Sequence, residues 1–339
     1  MIENNNELLK ELLTKEWNRP RTDHLDIYSS FEEKKSVFDK HYIVRSSTEF
    51  LNFIKHELPE QLKDKKVAFR GVNQAKFRMF SSAQRAFRTN TSVLPTDGEI
   101  YHSTIVQMIR NARTANRGVL SNFLKSTGMQ DSDVSVLSFL QHHRAPTPFT
   151  DWTTDINAAL FFATDGITKQ EVDYYHQTSG ADEIEDYISL YILIEDHILN
   201  QIGDFKQLSL TSKKAVEYNT LKKKRFQYIR ETLRSGKPAF SLYNNLRITT
   251  QSGLFIFNNS PNLPLEEIFL EKFMMHWLIN NAKGLEAPRS PIICINVHKS
   301  IVYWLQREIL SKQGYTKRAI YPNPEHIARM SVPRTFKTK

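Results

Sequence analysis

The chain has 339 residues, of which 40% are hydrophobic and 24% charged, proportions that exclude a disordered or fibrous protein and leave room for a sizeable core. A single cysteine, Cys294, excludes an internal disulfide framework and a cysteine-based zinc cluster within one chain. The net charge of +9 biases the surface toward polyanions or phosphate-bearing ligands without selecting one.

The first residues, Met1 to Glu7, have neither a basic n-region nor an uninterrupted apolar stretch, and no apolar run approaches the ~20 residues that span a bilayer, so the expectation is a soluble cytoplasmic protein without membrane contact. Leu8, Leu9, Leu12, Leu13 and Trp17 recur at helical spacing, predicting an amphipathic helix over residues 5–17 that stops before Pro20. A polar connector follows to about Lys40. Ser46 and Glu49 have the spacing of a capping box, opening a helix with Phe50, Phe53, Ile54 and Leu58 on one face until Pro59. Residues 67–70 read as a short strand. Helices are predicted near 99–111 and 134–142, and a third after Thr154, whose hydroxyl suits an N-cap. Residues 187–194 are nearly continuous in apolar character and read as a buried central strand. Residues 247–257 and 291–297 are further strand candidates, with helices near 265–281 and 300–313 and with Gly284 and Gly314 as their stops. The fold class is α+β, a small mixed sheet flanked by helices. The organisation is an N-terminal helix and connector over 1–44, one domain over 45–330 and a basic tail over 331–339.

Two segments carry the chemistry. Phe69-Arg70-Gly71 ends the first strand, where a planar, permanently charged guanidinium beside a glycine suits a grip on phosphate or carboxylate. The bland reading is a structural pairing with a buried acid, Asp151 being the candidate. Some seventy residues later, Gln141-His142-His143-Arg144-Ala145-Pro146-Thr147 leads to Asp151-Trp152-Thr153-Thr154 at the entry to an apolar helix. That helix start leaves N–H groups free for an anion, although local capping and a packed Trp152 explain the same residues. His142 and His143 diverge by ~100° on a helix and cannot both hold one ion, so no metal is expected. Lys213, Lys214, Lys222, Lys223, Lys224, Arg225, Arg230, Arg234 and Lys237 form the most basic stretch, read either as a solvated face or as a polyanion contact. Rossmann and P-loop glycine motifs are absent.

Phe69-Arg70-Gly71, Gln141-His142 with Pro146-Thr147, Asp151-Trp152-Thr153 and Ala159-Leu160 with Phe162-Ala163 together resemble the FRG domain family. The likeness extends to the arginine-containing stretch around Arg85, to Gln251, Gly253 and Phe255, and to Tyr321-Pro322. Arg144 stands where many members have glycine, and Pro148-Phe149-Thr150 replaces a commoner Arg-Leu-Leu. A second resemblance, in layout, is to ADP-ribosyltransferases of the Arg-Ser-Glu type. It implies an ADP-ribosyltransferase-like fold in which Arg70 and Gly71, with Arg85, His142, His143 and Trp152, hold NAD. Asp151 or Thr153 would line the pocket, and Gln251 would occupy the late strand where those enzymes carry glutamate. Glutamine cannot act as a general base, which counts against transfer by that mechanism. The resemblance implies an NAD or nucleotide pocket and, in its enzymatic form, ADP-ribosyl transfer or NAD cleavage by a toxin or anti-phage effector. The alternative is a non-catalytic module that binds nucleic acid or an acidic protein through the basic stretch.

Overall fold

Every residue of β4 (Tyr187–Ile194) is buried, which fits its position well inside an eight-stranded sheet and its run of β-branched, aromatic and aliphatic side chains, interrupted at Ser189. The computed structural model describes residues 26–38, 40–89, 98–126, 131–177, 183–195, 208–209, 217–223, 226–230, 250–271 and 291–322. The helix expected over 5–17, Lys213, Lys214, Lys224, Arg225, Arg234, Lys237 and the basic tail lie outside these residues.

The other strands are β1 (Lys40–Val44), β2 (Val67–Val72), β3 (Phe149–Thr153), β5 (Leu208–Ser209), β6 (Phe226–Arg230), β7 (Gly253–Asn258) and β8 (Ile292–His298). Their order is β1-β8-β4-β2-β3-β7-β6-β5. The β1–β8 and β5–β6 pairs are parallel and the rest antiparallel, so the sheet is mixed and the fold is α+β, as expected. The helices used below are α1 (Phe31–Lys35), α2 (Ser47–Asn52), α3 (Leu58–Leu62), α4 (Ser82–Arg88), α5 (Gly98–Ser126), α6 (Asp133–His142) and α7 (Ile156–Thr164).

Alternation along the strands divides the apolar residues between two faces. Ile188, Leu190, Ile192 and Ile194 of β4 join Ile293, Ile295 and Val297 of β8 and the buried residues of α7 in one cluster. Tyr187, Tyr191 and Leu193 of β4 join Ala68, Trp152, Leu254 and Ile256 on the other face. A third cluster joins Phe149, Phe255, Phe257 and Ile229 to apolar residues of α4, α5 and α6.

Several sequence expectations are corrected here. The polar connector before Lys40 contains α1, whose Lys34 is fully buried. Its ammonium donates to Ala75 O at 2.6 Å, Ser189 Oγ at 2.7 Å and Asn296 Oδ1 at 2.7 Å. A lysine that faces the core breaks the apolar period by which such a helix is recognised. Pro59 does not end the helix that Ser46 opens. The chain passes through one π-helical segment, Phe53–Glu57, and Pro59 follows at the start of α3. Residues 149–153, read as a polar loop, are strand β3, paired with β7 through five residues. Conversely, Thr250 and Gln251 are helical and β7 begins only at Gly253. The cap of α7 is Asp155, whose Oδ1 accepts from Asn157 N at 2.9 Å; Thr154 N is committed to Ser252 O.

Candidate functional site

The sheet is nearly divided at β2. This strand pairs with β4 through six residues but with β3 through one, Phe69↔Thr153. Beyond that pair β2 and β3 part, and Arg70 spans the opening with Nη1 donating to the Asp151 carbonyl at 2.6 Å. A side-chain donor therefore stands in for a missing rung of the ladder. Burial pushes Arg70 down from its ordinary pKa, and the Asp151 charge opposes that fall. Its Nε is enclosed and, among the described residues, has no hydrogen-bond partner.

Gly71 explains how the other side of β2 is closed. A Cβ at this position would lie 1.8 Å from Ala159 O, so α7 rests directly on the strand backbone. The close approach that the glycine permits is thus made by a helix.

Asp151 lies on the same side of β3 as Phe149 and is paired with Phe255 of β7. Its side chain remains exposed, yet burial leads the influences that push its carboxyl above the usual range. Arg70, the hydrogen bond from Gln141 and Arg85 pull the carboxyl back down, in that order. Gln141 Nε2 donates to Asp151 Oδ2 at 2.7 Å. Arg85 is exposed at the last turn of α4, with one nitrogen on Phe80 O at 2.5 Å, and Asp26 and Asp151 are the acids that favour its charge. At the opening between β2 and β3 one carboxylate thus lies under the electrostatic influence of two guanidinium groups from separate elements.

The remaining sequence candidates are placed differently. Trp152 is core, 3% exposed, with its indole N–H donated to Thr150 Oγ1, so it offers no stacking face. Thr153 is buried; its hydroxyl donates to Gln251 O at 2.6 Å and accepts from Asp155 N at 3.0 Å. Both hydroxyl functions are spent on local structure. Gln251 precedes β7 and gives its amide to Ile320 O at 2.9 Å, tying the C-terminal segment to the strand entry. His142 packs near Phe255, with ring centroids 5.7 Å apart, while His143 is exposed against Phe139. Arg70, Arg85 and Asp151 are thus brought together. Gln141 joins them; its presence in the motif was the only sequence signal for it. Among the described residues, no three His, Cys, Asp or Glu side chains are grouped to hold a metal.

Residues 65–172 match the FRG domain family, a span that includes Arg70, Arg85, Gln141 and Asp151 and leaves out Gln251. No curated protein and no solved structure matches the chain significantly. The resemblance first seen in Phe69-Arg70-Gly71 and Asp151-Trp152-Thr153 therefore has a defined extent: over residues 65–172 this chain is similar to the FRG domain family.

Proposed function

We propose that the opening between β2 and β3 binds an anionic nucleotide, NAD being the leading candidate, with Arg85 and Arg70 toward the phosphates and Asp151 toward a hydroxyl-bearing part of the ligand. The observation that carries this reading is Asp151 itself, an exposed carboxylate beside the Arg70 bridge, with two arginines bearing on its charge. A carboxylate kept only as a structural partner would be covered, and its contact with Arg70 would run through its oxygens. Here Arg70 meets the main chain and leaves the carboxylate exposed.

In the enzymatic form, the bond between nicotinamide and ribose breaks, the electron pair leaves with nicotinamide, and the ribosyl cation is stabilised by a nearby negative charge. Asp151 is suited to that task, whereas the Gln251 amide is engaged with Ile320 O. Activity as a toxin or anti-phage effector would follow from NAD consumption or from modification of a cellular target.

The test is incubation of the purified chain with labelled NAD, alone and with cellular protein and nucleic acid. Wild type is expected to gain thermal stability with NAD and to release nicotinamide. Asp151→Asn keeps the shape and removes the charge, so it should lose at least ~100-fold in rate with little loss of binding. Binding without release, in wild type, would leave a nucleotide-binding module; neither binding nor release would retire the proposal.

A further inference from the structure

Gln141, at the end of α6, uses both ends of its amide. Nε2 donates to Asp151 Oδ2 at 2.7 Å, and Oε1 accepts from the Thr147 hydroxyl in a close contact. Thr147 is fully buried and fixed to α4 by its main chain. Its N–H donates to Ser82 Oγ at 3.0 Å and its carbonyl accepts from Ala83 N at 3.0 Å. The carboxylate fixes the amide's orientation, because on turning over the amide oxygen would face the carboxylate and that bond would be lost. Gln141 thus holds the Asp151 carboxylate at Oδ2, and the residue's own main chain adds a hydrogen bond to the carboxylate. The charged groups that bear on it are Arg70 from β2 and Arg85 from α4, the helix to which Thr147 is tied.

We infer that Gln141 is a positioning residue: anchored through Thr147 to the helix that carries Arg85, it holds Oδ2 of Asp151 and so fixes the carboxylate's orientation toward a hydrogen-bond donor of the ligand, a hydroxyl or amine adjacent to an anionic group. The inference rests on the opening being a ligand site, as proposed above, but its primary readout needs no ligand. Gln141 also works on protonation. Its hydrogen bond favours the ionised carboxylate, so its loss leaves burial less opposed and raises the Asp151 pKa.

The experiment follows the Asp151 carboxyl by carbon NMR as a function of pH in the full-length protein labelled at aspartate, the signal being assigned by its loss in Asp151→Asn. Gln141→Met, close in volume, should move the titration midpoint upward, and Gln141→Glu should move it further because a like charge is added. Thr147→Val, which removes the anchor without touching Asp151, should move it in the same direction as Gln141→Met. NAD-induced stabilisation should fall in all three. An unchanged midpoint in folded Gln141→Met, or in Thr147→Val if the first variant does not fold, overturns the inference. A shifted midpoint in a protein whose wild type ignores NAD upholds the positioning role and removes the nucleotide reading instead.

Discussion

At the scale of single residues, the Arg-Gly pair has two separate duties that substitution can tell apart. Gly71 is where α7 touches β2, and a methyl group there meets main-chain atoms of Ala159 and Ala163 that cannot swing aside. Gly71→Ala is expected to cost about 3 kcal/mol or more of stability, read from urea unfolding, because a packed helix must move. Arg70 instead ties two parts of a divided sheet through one charge-assisted bond. Arg70→Ala should lose about 1.5–3 kcal/mol, the value of a hydrogen bond to a charged group. Arg70→Lys should recover part of that stability by reaching Asp151 O, yet rescue nucleotide binding poorly, since an ammonium lacks the planar fork. Equal recovery of stability and binding by lysine would mean that only the charge matters at this position.

At the scale of elements, what the sequence made legible depended on whether burial was symmetrical. β4 could be read because both of its faces are covered, and residues 134–142 because α6 is predominantly apolar and buried through its first turns. β3 could not, because its alternation of Phe149, Asp151 and Thr153 with Thr150 and Trp152 puts a carboxylate where a core residue is expected, and that departure is the site itself. Position in sequence also misled at Gln251, which continues the apparent strand pattern but precedes the left-handed Ser252 (φ 47°), where the chain turns before β7 begins. α1 was hidden by Lys34, a charge with three acceptors in place of an acidic partner. Lys34→Met should therefore destabilise the protein by about 2–4 kcal/mol despite removing a buried charge, because Ala75 O loses its donor and the Ser189–Asn296 pair loses a third member. Urea midpoints at constant slope would check this; a stabilised variant would mean that desolvation of the ammonium outweighs its three bonds.

At the scale of the whole molecule, buried titratable groups set opposing responses to acid. His41 lies on β1 between α1 and β8; its Nε2 faces Asn296 Nδ2 at 2.8 Å, and Phe31 packs against its ring at 5.8 Å. Burial, with Lys34 and Lys35 adding to it, lowers its pKa from 6.5 to about 4. Between these values the unfolded chain binds more protons, so this contribution is complete above pH 6.5 and is lost as the pH falls toward about 4. Glu266 acts in the other direction. Buried beneath Tyr28 and the Met79 amide, its carboxyl is raised above 4.5, so the folded state takes up its proton first and gains stability as the pH falls through that raised value. Asp151, also raised, has the same sign. The acid limb of the stability curve is then a balance, and single substitutions should tilt it in opposite senses. His41→Gln, which keeps a hydrogen-bonding side chain without a titrating ring, should flatten the loss between pH 6.5 and 4, whereas Glu266→Gln should steepen it by removing the compensating protonation. Urea midpoints measured across that range for the two variants give the answer. Parallel curves for wild type and His41→Gln would show that the ring does not govern the acid transition, and would place it with groups other than those facing β1.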